Sequence, residues 1–151
     1  MEVRVAEHDE KMNKIIYSPV LVVAVGFILN LLWENVQAPL YLGYSNLWQH
    51  FWVCFKGALG DGAILIFLYI FLALLNRNLL WITKITPADI LILVGIGTAI
   101  AIGVEKWALM TGRWGYTSAM PLLPLIGVGL PPILQMAILP LFTFTISKKI
   151  I

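Results

Sequence analysis

The chain has 151 residues, of which 60% are hydrophobic and 12% charged, with a formal net charge of +2 and a mean hydropathy of +0.90. Soluble domains carry about 25% charged residues, so this composition excludes a domain solvated on all sides, and so small a net charge gives no ground for a nucleic-acid partner. The single cysteine, Cys54, excludes an internal disulfide and a cysteine-cluster metal site.

Met1 to Lys14 is polar and mixed in charge. It lacks the basic-then-apolar layout and the small-residue cleavage site of a signal peptide. Residues 1–16 read as a polar cytoplasmic tail and 17–151 as a single transmembrane domain whose first span is retained. That span is predicted from about Pro19 to Gln37, with Ser18 as cap and Pro19 in the first helical position. A second is predicted from about Phe51 to Leu75, stopping at Asn76-Arg77-Asn78. Leu79 to Ile85 reads as a short amphipathic linker lying at the membrane surface. The third is predicted from Pro87 to Met110, with Thr86 and Asp89 spaced for a capping box. The fourth is predicted from about Leu125 to Ile146, with Pro131-Pro132 and Pro140 kinking or loosening it. Each stretch is near the ~20 residues that cross the hydrocarbon core. None alternates as barrel strands do, so the fold class is an all-α bundle of four transmembrane helices.

Lysine and arginine set the orientation. Arg4, Lys11, Lys14, Arg77, Lys84, Lys148 and Lys149 fall on one side, and the opposite loops hold only Arg113. Both termini are therefore expected in the cytoplasm, and the protein in the inner (cytoplasmic) membrane as a multi-pass chain. The opposite side is rich in aromatics: Tyr41, Tyr44, Trp48, Trp52, Trp114 and Tyr116. They read either as an interfacial belt or as the mouth of a substrate site.

Carboxylates inside spans carry the functional signal. Each costs roughly 2.5–3.5 kcal/mol to insert, and such residues usually face a protein interior or a wet cavity. Asn30, Glu34 and Gln37 share a face of the first span, Gly57 and Asp61 one of the second, Thr98 and Glu105 one of the third, and Gly127, Pro131 and Gln135 one of the fourth. Asp61 and Gln135 lie at similar depths, so Asn30, Glu34, Asp61, Glu105 and Gln135 are expected to meet in one layer of the outer half. Lys56 and Lys106 can snorkel or neutralise a carboxylate there. Two readings compete. In one, the polar groups only lock the helices together; in the other, they line a pocket whose carboxyls act as general acid and base.

The stretch Glu105-Lys106-Trp107-Ala108, Thr111-Gly112-Arg113-Trp114-Gly115-Tyr116, Met120-Pro121 and Gly127 to Leu134 resembles the lycopene cyclase domain of small membrane carotenoid cyclases. In that family an acidic and a small residue precede a Gly-x-Trp-x-Tyr/Phe turn, and a glycine-rich helix leads to Pro-Leu-Glu-Glu. The resemblance covers the last third of the chain and implies a small helical bundle with an isoprenoid- or lipid-sized cavity. The family's paired glutamates fall here on Leu134 and Gln135, neither of which can protonate a polyene. Lycopene cyclisation is therefore not implied.

The resulting expectation is an acid–base isomerase, cyclase or hydratase of an isoprenoid-type lipid. Glu105 would be the leading acid, Asp61 its partner and Glu34 an orienting group. Asn30, Gln37, Lys56, Lys106, Trp107, Arg113, Trp114, Tyr116 and Gln135 would contact the substrate or hold the carboxyls. No cofactor and no metal are expected; the partners would be a membrane lipid or isoprenoid ligand and, in an oligomer, another chain. The alternatives are a small proton-coupled transporter with Glu34 as coupling site, and a non-catalytic membrane subunit.

Overall fold

The computed structural model describes residues 2–151. Met1, and the side chains of residues 1–7, Arg4 among them, lie outside that description. The chain is 77% helical. Four helices, α1 (Glu2–Gln37), α2 (Leu47–Leu75), α3 (Pro87–Met110) and α4 (Leu130–Ile150), are long and apolar enough to cross a membrane.

The helix ends follow local chemistry. Asn46 caps α2 by accepting from Gln49 N at 3.0 Å, which starts that helix four residues before the predicted Phe51. Thr86 and Asp89 form the predicted capping box of α3. Three expectations are corrected. The first helix does not begin at Ser18-Pro19: α1 runs through Pro19. Ser18 Oγ donates back to Lys14 O at 2.5 Å instead of capping, and Lys14 pairs with Glu10 one turn earlier. At 36 residues, α1 is about 54 Å long, against a hydrocarbon core of ~30 Å. The fourth helix starts at Leu130, not Leu125, because residues 122–129 fold into a two-stranded antiparallel hairpin, Leu122–Leu123 with Val128–Gly129. Gly127, at φ 65, supplies its left-handed turn residue. Pro131 and Pro132 therefore stand in the first turn of α4, where no N–H is needed, and do not kink it. The linker after α2 turns two of its side chains into the bundle. It forms a 3-10 turn, Trp81–Lys84, whose Trp81 and Ile82 are buried, with Trp81 Nε1 donating to Tyr69 O at 3.0 Å.

The helices pack as an open ring. Contacts are extensive between α1 and α2, α1 and α4, and α3 and α4, whereas α2 and α3 scarcely touch. Gly60 on α2 and Gly103 on α3 are exposed, and a Cβ on either would meet nothing within 4 Å. The closed sides are tight. A Cβ on Gly97 would strike the Met136 carbonyl of α4. Pro140, four residues beyond Met136, has no N–H to bond that carbonyl. Glycine at position 97 lets the α3 backbone reach it, in a Cα–H···O type of approach.

Two apolar clusters fill the ring. One, toward the chain termini, holds Leu65, Leu68, Leu72, Trp81, Leu93 and Phe144. The other, toward the hairpin, holds Ala101, Val128, Ile133 and Met136. Ile64 packs against both, one turn from Asp61. The end of the bundle with the hairpin is called here the loop end, and the other the terminal end.

Candidate functional site

Gln135 is the hub of a polar network that ties three helices together. It is 2% exposed. The two N–H groups of its Nε2 are shared among three acceptors, Asp61 Oδ2 at 2.7 Å, Asn30 Oδ1 at 3.0 Å and Glu34 Oε1 at 3.2 Å. Its Oε1 accepts from Gln37 Nε2 at 2.9 Å, and Gln37 Nε2 also reaches Glu34 Oε1 at 3.0 Å. Trp33 Nε1 then donates to Gln37 Oε1 at 3.2 Å, and Asn30 Nδ2 to Gly26 O at 2.8 Å. The i, i+4, i+7 spacing of Asn30, Glu34 and Gln37 stacks them on the α1 face that meets α4. Gly57 makes room on α2, since a Cβ there would stand 3.0 Å from the Glu34 carboxyl carbon.

Glu34 and Asp61 thus accept from the same amide nitrogen. Among the described residues, no lysine, arginine or histidine pairs with either; the ion pairs are Lys14–Glu10 and His8–Asp9, both near the N-terminus. Two carboxyls against one shared donor, with no cation beside them, cannot both carry full charge at low cost, and a single proton can be held between them. Both keep partial exposure although the network around them is buried.

Glu105 stands in a second network at the loop end. It is 6% exposed. Oε1 accepts from Tyr41 O–H at 3.2 Å. Oε2 accepts from Trp114 Nε1 at 3.1 Å and, through a short bond, from Tyr116 O–H. Gly129 N, at the start of α4, donates to the Tyr116 oxygen at 3.1 Å. Burial first, and then the Glu105 carboxylate, push the Tyr41 and Tyr116 phenols well above their ordinary value, which keeps both as donors. The segments carrying these donors are themselves paired. Tyr41 and Tyr116 form an antiparallel bridge, Leu42 N donates to Gly115 O at 2.9 Å, and Thr117 N to Leu40 O at 2.9 Å. The two loops that follow Glu34 and Glu105 are therefore joined across the loop end.

The expected single layer is thus two adjoining networks. Asn30, Glu34, Gln37, Asp61 and Gln135 come together; Glu105, Trp114 and Tyr116 come together beside them, and no hydrogen bond among the described residues links the sets. Thr98 is half-buried and belongs to neither. Lys56, Lys106 and Trp107 are exposed, and the Arg113 guanidinium lies 4.5 Å over the Trp107 ring, a cation–π contact. None of these four touches a carboxyl of the networks. The aromatic wealth of this end divides as well: Tyr41, Trp114 and Tyr116 enclose Glu105, while Trp48 and Trp52 are 83% and 65% exposed. Tyr41 is read from the sequence only as one of the aromatics of a belt or a substrate mouth, and its hydrogen bond to Glu105 is what that reading lacks. Its signal was available, because Pro39 stops α1 and the short Ala38–Leu40 turn aims the next side chain inward.

No protein-family model, curated protein or solved structure matches the chain.

Proposed function

We propose that the protein is a membrane-embedded acid–base enzyme of an isoprenoid-type lipid, with the Glu34–Asp61 pair as proton donor. The observation that carries this is the single Gln135 amide shared by two carboxyls with no cation beside them. A general acid needs a proton to give, and such a pair can hold one. Gln135, Gln37 and Asn30 orient it. A lipid-dissolved substrate would reach Asp61 from the side where α2 and α3 make few contacts. In this reading Glu105, whose two oxygens accept from three donors, braces the loop end instead of acting as the leading acid.

The resemblance to the lycopene cyclase domain supports a lipid-sized substrate. At the place of that family's second glutamate this chain has Gln135, so the acid would come from α1 and α2. The reaction class is protonation of a double bond followed by isomerisation, hydration or cyclisation. We place the protein in the cytoplasmic membrane with both termini inside, because Lys11, Lys14, Arg77, Lys84, Lys148 and Lys149 gather at the terminal end.

The test is mass spectrometry of lipid extracts from cells with and without the protein. A lipid differing from its precursor by isomerisation or by addition of water should appear on expression. Glu34→Gln and Asp61→Asn should each lower its yield by about 100-fold or more, the range for loss of a general acid. Unchanged yield in Asp61→Asn would refute the assignment. Proton release on ligand binding without any product would point to a proton-coupled transporter. An effect confined to recovery of a larger complex would point to a non-catalytic subunit.

A further inference from the structure

The terminal end of α2 carries a second feature, unrelated to the carboxyls. A cleft of about 300 Å³ is lined by Tyr69, Ile70, Ala73, Leu74 and Leu79, with Arg77 and Asn78. Tyr69 presents only its ring, because its hydroxyl is committed to Leu79 O at 2.5 Å. Ile70 and Leu74 are 51% and 72% exposed. Arg77 is exposed, forms no ion pair among the described residues, and shares the cleft with no carboxylate.

Arg77 also has a costly backbone. At φ 50 it is the one non-glycine in the left-handed region among the described residues. It ends α2 in the manner of a C-terminal cap, with Arg77 N donating to Leu74 O at 3.1 Å and Asn78 N to Ala73 O at 2.9 Å. Glycine is the usual residue there, since it escapes Cβ crowding. What arginine adds over glycine is a guanidinium, placed where α2 passes from its last apolar residues into the polar linker. Ile70 lies seven residues earlier, roughly 10 Å deeper at 1.5 Å per residue. An apolar track beneath an unpaired cation at the membrane surface has the shape and charge of a phospholipid's complement. A planar guanidinium suits a phosphate. The Asp89 carboxylate, which Asn76 next door reaches, accepts from Asn76 and Thr86 and forms no ion pair with Arg77, and the cleft lining holds no carboxylate, so the site favours a headgroup of net negative charge.

We propose that this cleft binds one anionic phospholipid, with its phosphate on Arg77 and an acyl chain along Ile70 and Leu74. The test is native mass spectrometry of the full chain released from nanodiscs of mixed phosphatidylglycerol and phosphatidylcholine. The protein should keep one phosphatidylglycerol through delipidation. Arg77→Gly should lower that retention at least tenfold while its thermal midpoint stays the same or rises. Arg77→Gln, which keeps the backbone strain and drops the charge, should lose the lipid equally. Lys84→Gln, which removes a basic residue of the linker outside the cleft lining, should keep it. Equal retention in Arg77→Gly or Arg77→Gln would overturn the proposal. So would equal retention of phosphatidylcholine, parallel loss in Lys84→Gln, or displacement of the lipid by inorganic phosphate.

Discussion

Gln135→Leu should be among the most damaging single substitutions in the bundle, although it matches the residue in size and makes the helix more apolar. The amide donates to Asp61, Asn30 and Glu34, and accepts from Gln37. Leucine removes a donor from two carboxyls at once. Interhelical hydrogen bonds in membranes average only ~0.6 kcal/mol, so four ordinary bonds would cost about 2 kcal/mol. Leaving buried charged or partly charged acceptors without a donor costs more than leaving neutral ones, and a total on the order of 3–4 kcal/mol is expected. Gln135→Glu should be worse still, because it adds a third carboxyl in place of the only donor that Asp61 shares with Glu34. Unfolding in mixed detergent micelles, followed by circular dichroism, measures both. A loss below about 1 kcal/mol in Gln135→Leu would show that the amide does not bear on the carboxyls as described.

Glu105→Leu should have an effect of similar size but confined to the loop end. The substitution leaves the Tyr41 and Tyr116 hydroxyls and the Trp114 indole N–H without their acceptor. A buried donor left unpaired costs roughly 1–3 kcal/mol; these three side chains are half-buried, so the low end applies to each and the total is expected at about 3 kcal/mol. Glu105→Gln keeps a carbonyl oxygen as acceptor and should cost about 1 kcal/mol, the ordinary net value of one hydrogen bond. The damage should be readable residue by residue. Hydrogen exchange at Leu42, Thr117 and Gly129, whose amides tie the two loops and the start of α4 together, should quicken strongly in Glu105→Leu and little in Glu105→Gln. Equal exchange in the two variants would contradict the bracing role.

Much of this was readable before the structure, and for physical reasons. Long apolar runs leave helices as the only way to satisfy backbone groups in lipid, which gives the four helices long and apolar enough to cross a membrane. Helical spacing and depth bring Asn30, Glu34, Asp61 and Gln135 to one place, because side chains four apart share a face and 1.5 Å per residue converts position to height. Gln37 joins them by the same spacing. The misreadings have causes too. Ser18-Pro19 carries a start signal, but such a signal acts only where no helix precedes it, and the polar stretch before it is helical. Gly127 and Gly129 permit a hairpin that hydropathy alone cannot separate from a helix start. The lysines near the carboxyls in sequence depth point away from them, because periodicity places a residue on a face without saying which neighbour faces it. The division between the Gln135 and Glu105 networks was hidden in the loops, where Pro39 and the Tyr41–Tyr116 bridge decide the aim of the aromatics.

The most direct test of the shared site is a double-mutant cycle between α2 and α4. Asp61→Leu and Gln135→Leu are each expected to destabilise the bundle, since each strands its partner. Together they should cost less than the sum, because both sides of the contact are then apolar. The predicted coupling is above 1 kcal/mol, within the 0.5–3 kcal/mol seen for residues in one network. Costs that add to within about 0.5 kcal/mol, as for distant independent sites, would mean that Asp61 and Gln135 do not meet, and that the pair of carboxyls has no common donor.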